Sequence, residues 1–119
     1  LEALVTFEVE LPYPPSINHY WRRVGPRTLI SREGRRFRQR VMAILAALRI
    51  EPLHGPLAVD VEVHPPDNRR RDIDNVQKAL LDALQHGGAY LDDSQVVRLA
   101  IVKREPVVGG KTLVRIRNE

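Results

Sequence analysis

The stretch "LAVDVEVHPPDNRRRDIDNVQKALLDAL", Leu57 to Leu84, decides the fold class, because its hydrophobic period changes once along its length. In its first part Leu57, Val59, Val61 and Val63 alternate with Ala58, Asp60, Glu62 and His64, the period of two expected of a half-buried β-strand. Pro65 and Pro66 end the strand, since proline brings no donor to a ladder. In its last part Val76, Ala79, Leu80, Ala83 and Leu84 fall at i, i+3, i+4, i+7 and i+8, the spacing of an amphipathic helix. That helix is expected to begin near Asp74 and to stop at Gly87 or Gly88. A strand that feeds a helix implies a sheet with helices laid against it.

Upstream, Leu4 to Leu11 alternates, with Val5, Phe7, Val9 and Leu11 on one side and Thr6, Glu8 and Glu10 on the other, a second strand. The segment "LPYPPSINHYW" interrupts it, and an arginine- and glycine-bearing loop follows, with a short strand near Thr28 to Ile30. Ser31 is placed to cap a helix with Glu33 in its first turn, and Phe37, Val41, Ile44, Leu45 and Leu48 recur at helical spacing until Pro52. Downstream, Val96 to Lys103 and Thr112 to Arg117 read as two further strands joined through the Pro106 to Gly110 turn. The order β-α-β-α-β-β predicts a single two-layer α+β domain over residues 1–119, a mixed sheet of about four strands carrying two helices.

At 119 residues, 43% apolar and 29% charged, the chain has the make-up of one soluble domain. The absence of cysteine excludes disulfides and thiolate metal sites. No apolar run approaches the roughly 20 residues of a membrane crossing, and the expected setting is the cytoplasm, with no membrane partner. The net charge is +4, and Lys78, Lys103 and Lys111 are the only lysines among 19 basic residues. The rest are arginines, whose two-pronged donor fork matches phosphate. Between Arg22 and Arg49 the arginines face a single acid, Glu33. A run of that sign favours a nucleic acid partner, the alternative being a solvated charged helix. Arg22, Arg23, Arg35 and Arg36, together with Arg69, Arg70 and Arg71, are the candidate DNA contacts.

Asp72 and Asp74 stand two apart where extended chain becomes helix, so both carboxylates point to one side. Such a pair suits magnesium, a hard cation that takes one or two protein carboxylates and completes its shell with water and substrate phosphate. The alternative assigns Asp74 to helix capping and Asp72 to an ion pair with Arg70 or Arg71. Lys78, one turn on from Asp74, faces the same way, where its ammonium would stabilise charge growing on a phosphate or orient a water. Asp92 and Asp93, in "AYLDDSQVV", precede the third long strand; adjacent residues point oppositely, so one of them would join the site, and spacing leaves open which. An EF-hand fails, since Ala83 stands where the closing Glu is needed, and four scattered histidines make no zinc site. No P-loop or nucleophile elbow is present.

"LPYPPSINHYW", "SREGRRFR", "RRRDIDNVQKALLDAL" and "AYLDDSQV", in this order and spacing, resemble the RusA family of Holliday junction resolvases, small endodeoxyribonucleases of bacteria and their phages. The likeness runs from about Leu11 to Gly110. It implies a homodimer that binds branched DNA, the four-way junction, and makes paired magnesium-dependent nicks, with manganese as a possible substitute. It places the family's catalytic and metal-binding carboxylates on Asp72, Asp74 and Asp93 and its catalytic lysine on Lys78, with Asn75 and Gln95 in support. The family's basic stretch falls on Arg69 to Arg71, preceded here by Asn68. The competing expectation is a DNA-binding dimer without catalysis, whose aspartates only cap and pair. Two side features stay open. Tyr20 and Trp21 either stack on bases or fold over the core, and Leu81 either packs under a loop or faces a partner subunit.

Overall fold

In a computed structural model, which describes residues 5–119, the strand read from Leu57 becomes an inner strand of a mixed sheet. The chain runs through β1 (Val5–Leu11), α1 (Ile17–Tyr20), β2 (Trp21–Val24), β3 (Arg27–Ile30), α2 (Arg32–Ala47), β4 (Leu57–His64), α3 (Gln77–His86), β5 (Val96–Lys103) and β6 (Lys111–Asn118). Short 3-10 turns at Ile73–Asn75 and Asp93–Gln95 precede α3 and β5. The sheet order is β1-β6-β4-β5; β6 runs antiparallel to both neighbours and β5 parallel to β4. The α+β class and the four-stranded mixed sheet match the sequence expectation. Leu4, the outer end of the first expected strand, lies outside the described residues.

The two periods now explain the two layers. Leu57, Val59, Val61 and Val63 of β4, with Val114 and Ile116 of β6, form the buried face of the sheet. Phe37, Val41 and Leu45 from α2 and Ala79, Leu80, Ala83 and Leu84 from α3 complete the core. Burial of such side chains is worth about 1.5–3 kcal/mol each and supplies most of the folding drive. The alternate residues pave the open face with ion pairs: Arg115 reaches Glu8 at 3.0 Å and Glu62 at 2.8 Å, Arg104 reaches Glu62 at 2.9 Å, and Arg117 meets Asp60. The arginines of that face are therefore matched by acids.

Three local features differ from the sequence expectation. The short strand near Thr28 is one arm of a hairpin, β2 with β3, which turns at Gly25 with φ of 59°; its faces are largely exposed, so no apolar alternation announces it. A single helical turn, α1, stands inside the proline-rich segment. The second long helix begins at Gln77 and not at Asp74, because Val76, at φ −103°, leaves regular helical geometry while burying its side chain. Asp74 consequently lies in a 3-10 turn and does not cap α3. Ser31 does cap α2, accepting from the Gly34 amide at 2.9 Å. Gly34 is itself required, since a Cβ there would stand 2.5 Å from the Tyr20 carbonyl oxygen and 2.7 Å from Ile30.

Candidate metal and nucleic-acid site

The chain leaves β4 through Pro65 and Pro66 and makes a tight basic loop before α3. Asp67 organises that loop: it accepts from the Arg69 amide at 2.9 Å and from Arg71 Nη1 at 2.7 Å, and it meets Arg69 Nη2 at 3.3 Å. The Arg71 guanidinium and the Arg69 amide hold its carboxyl well below the usual carboxylate range. Arg71 also leans over the Tyr13 ring, its guanidinium carbon 6.0 Å from the ring centre. Asp67, not Asp72, is thus the partner of these arginines. Arg70 stays exposed with no ion pair among the described residues.

Asp72 and Asp74 are exposed. Asp72 sits at the head of the 3-10 turn, yet its side chain caps nothing. Neither carboxylate enters an ion pair among the described residues, although three arginines precede them. Lys78, exposed at the second position of α3, is likewise unpaired there.

Asp93 reaches the same helix by another route. Because β5 runs parallel to β4 with Val96 opposite Leu57, the turn before β5 lies beside the start of β4, away from the strand end that leads to Asp72. Adjacency of the two strands therefore does not bring Asp93 to the Asp72 corner; α3 spans the interval. The Asp93 amide donates to Gln85 Oε1 at 2.8 Å, and the neighbouring Tyr90 hydroxyl donates to the Leu81 carbonyl at 2.8 Å. Asp92 caps the turn, accepting from the Ser94 amide at 2.9 Å, while Gln95 Oε1 accepts from the Asp92 amide at 3.0 Å. Asp92 is thereby used locally, and Asp93 turns inward.

Asp93 Oδ1 is buried and has no hydrogen-bond partner, the one such side-chain atom among the described residues. Burial raises the Asp93 carboxyl above its ordinary range; the nearby Tyr90 hydroxyl and Lys78 ammonium pull it down by less, and Asp82 and Asp92 push it up. Tyr90 has a single proton and directs it to Leu81, so the orphaned oxygen keeps its need for a cation or a proton. Burial and the Asp93 charge hold the Tyr90 phenol protonated far above its ordinary range. Among the described residues no group of three or more His, Asp or Glu side chains is gathered tightly enough to hold one ion. The chemistry of the donors nonetheless fits magnesium, which uses one or two protein carboxylates: Asp72 and Asp74 are a free pair on one exposed turn, and Asp93 holds an unsatisfied oxygen apart from them, beside α3.

Arg22 and Arg23 lie exposed on the β2–β3 hairpin, and Arg35 and Arg36 lie exposed on the first turns of α2. Arg36 lines a groove with Tyr13, Pro14, Pro15 and Arg40; Tyr13 also walls a cleft with Ser16, His19, Asn75 and Asp72. Tyr20 is fully buried, which removes it as a base-stacking platform. Trp21 packs against the core, edge-on to Tyr20 with ring centres 5.0 Å apart. Leu81 is half-buried against the core, and its carbonyl accepts from the Tyr90 hydroxyl at 2.8 Å. Gln95 Nε2 donates to the Leu53 carbonyl at 2.9 Å, which fixes the turn that carries Asp93.

Several contributors escaped the sequence reading. Asp82 accepts from Arg38 Nε at 2.8 Å and from the Tyr20 hydroxyl, so it ties α1, α2 and α3 together one turn beyond Lys78. Asp67 and Gln85 were equally silent. The i,i+4 spacings of Asp67 with Arg71 and of Asp82 with His86 were the available signals, and the D-x-x-Q pattern of Asp92 and Gln95 announced a capping box.

Comparison with known proteins adds an independent line. A family model described as endodeoxyribonuclease RusA matches residues 12–117. The crossover junction endodeoxyribonucleases RusA of Enterobacteria phage 82 and of Escherichia coli strain K12 are each 42% identical to this chain over 118 residues, covering 96% of it and 98% of the relative. The corresponding enzyme of Enterobacteria phage HK97 is 39% identical over 111 residues, covering 92% of both chains.

Proposed function

The chain belongs to the RusA family of endodeoxyribonucleases, and from that premise we propose that it is a magnesium-dependent nuclease that resolves four-way DNA junctions in recombination and repair. The observation that carries the metal-dependent reading is the state of the carboxylates. Asp72 and Asp74 neither cap nor ion-pair beside three arginines, and Asp93 buries an oxygen with no partner. A fold that used these aspartates only for capping and charge balance, as the non-catalytic alternative requires, would have spent them on the nearby donors.

Asp72, Asp74 and Asp93 are the residues that would hold magnesium, or manganese in its place. Bound there, the ion supplies Lewis acidity and a water made acidic enough to attack a phosphodiester. The chain's own residues then divide the remaining work. Arg36 and Arg40 line a groove that meets the Asp72 cleft at Tyr13, a path for the phosphate backbone. Arg22, Arg23, Arg35 and Arg70 are further exposed cations available to the phosphate backbone, while Arg69 and Arg71 hold the loop through Asp67. Lys78, on the helix between the Asp72 turn and Asp93, is the cation that would stabilise negative charge growing on the phosphate oxygens. Two copies related by a two-fold axis would present two such sites to a junction that must be cut twice.

A labelled four-way junction, titrated with magnesium, tests the reading. Nicking is expected to depend on the metal, and Asp72→Asn or Asp74→Asn should retain junction binding while losing cleavage by at least about 100-fold. Binding without nicking at any magnesium concentration refutes the nuclease; loss of binding in step with unfolding refutes the assignment of these aspartates. Sedimentation of the free protein and of its junction complex tests the dimer.

A further inference from the structure

A cleft of about 270 Å³ opens beside Asp72, between the proline-rich loop and the 3-10 turn that carries the aspartate pair. Tyr13 and Val76 give it apolar walls, and Ser16, His19 and Asn75 give it neutral hydrogen-bonding groups. Its two arginines, Arg69 and Arg71, are both engaged by Asp67, and Asp72, which pairs with neither, adds a negative charge to the lining. The cleft is therefore poor in free positive charge, and a second phosphate is a poor occupant for it. Ser16 Oγ and His19 Nδ1 stand 3.1 Å apart, so one bond fixes both at the wall. The Asn75 backbone amide is tied to the Asp72 carbonyl at 3.2 Å, but its side-chain amide makes no hydrogen bond among the described residues. It offers a free donor and a free acceptor on the 3-10 turn, one residue from Asp74.

A flat, uncharged group with donors and acceptors on its edge is what such a cleft suits. We propose that it is a nucleobase subsite, taking the unstacked base of a nucleotide next to the phosphate that is cut and reading its edge through Asn75. This rests on the nuclease reading above. Enzymes that act on nucleic acid hold an extruded base by stacking on aromatic and apolar walls and by hydrogen bonds to its edge, and Asn is among the side chains that pair with a base in two-pronged fashion. The volume is at the lower bound of small-ligand clefts, roughly 300 Å³, which suits one base and not two. The subsite couples choice of base to chemistry, because Asp72 borders the cleft and Asn75 shares the turn with both aspartates.

The test uses the full chain and a set of four-way junctions that differ only in the base on either side of the cut phosphate. Single-turnover cleavage with magnesium should discriminate among the four bases at one of these positions by about tenfold or more. Asn75→Ala should collapse that ratio to within about twofold at the same position. Each enzyme's ratio is internally normalised, so a slower variant still reports. Should Asn75→Ala cut nothing, 2-aminopurine at the same position decides: its emission should rise on binding without divalent metal, and rise less with Asn75→Ala. Cleavage by the wild type that is indifferent to the flanking base, an unchanged ratio in the variant, or unchanged 2-aminopurine emission overturns the subsite and leaves the nuclease standing. No cleavage of any junction by the wild type overturns the nuclease reading and the subsite with it.

Discussion

Replacing Asp93 by asparagine should stabilise the metal-free protein while removing its activity. Asp93 Oδ1 is buried without a partner, and burial raises its carboxyl above the ordinary value of 3.8. An unsatisfied buried acceptor costs about 1–3 kcal/mol, and more when charged. Asparagine keeps the shape and the amide contact to Gln85 but removes the charge. The loss is the attraction of the nearby Tyr90 hydroxyl, whose proton goes to the Leu81 carbonyl, and that of Lys78, an exposed group whose contribution is screened to below about 1 kcal/mol. The balance favours the variant by about 1 kcal/mol near pH 8. With an unfolding entropy of roughly 0.25 kcal/mol/K for a chain this long, that is a rise of about 4 °C in Tm. The sign with pH follows from the raised carboxyl. Above 3.8 the folded state holds a proton that the unfolded state has lost, so wild-type stability falls as pH rises from there through the folded pKa. The variant lacks that slope, and its advantage should be small near pH 3.5 and grow toward neutrality. Urea or thermal unfolding in chelator across this range measures it. Excess magnesium should then stabilise the wild type and leave the variant unchanged. A variant that is less stable in chelator, a difference independent of pH, or equal stabilisation of both proteins by magnesium would refute the reasoning.

Arg35→Ala with Arg36→Ala should weaken junction binding and lower the salt slope of log K by about 1 for each phosphate that is no longer neutralised, as read from binding at several salt concentrations; an unchanged slope removes α2 from the DNA path. Gly34→Ala, which drives a Cβ against the Tyr20 carbonyl and Ile30, should cost about 1–3 kcal/mol in urea unfolding. Asp82→Ala frees Arg38 and the Tyr20 hydroxyl in a largely buried setting and should cost about 2–3 kcal/mol, with Arg38→Ala nonadditive to it in a double-mutant cycle. Additive losses would show that Asp82 and Arg38 do not act as a pair.

Much of the architecture was legible along the chain because the two hydrophobic periods are local. The alternation of Leu57 to Val63 and the helical spacing from Val76 to Leu84 each need only a dozen residues to declare themselves, and they set the two layers. Ser31 announced its cap, since a cap is made by atoms three residues apart. The β2–β3 hairpin was hidden for the opposite reason. Its strands are exposed and arginine-bearing, so burial imposes no pattern on them.

Sequence by itself determined the residue types at the site: a pair of aspartates two apart at a strand-to-helix junction, a lysine one turn on, and a second pair of aspartates before a strand. Only the tertiary structure decided how they are used. It gave Arg69 and Arg71 to Asp67, left Asp72 and Asp74 unpartnered, and made Asp92 the cap while turning Asp93 inward. It also set Asp93 against α3 and not against the end of β4, because β4 and β5 run parallel. The physical reason is that period and capping are short-range properties of the backbone, whereas the direction of a strand and the identity of an ion's partner depend on groups that meet only after the chain has closed on itself.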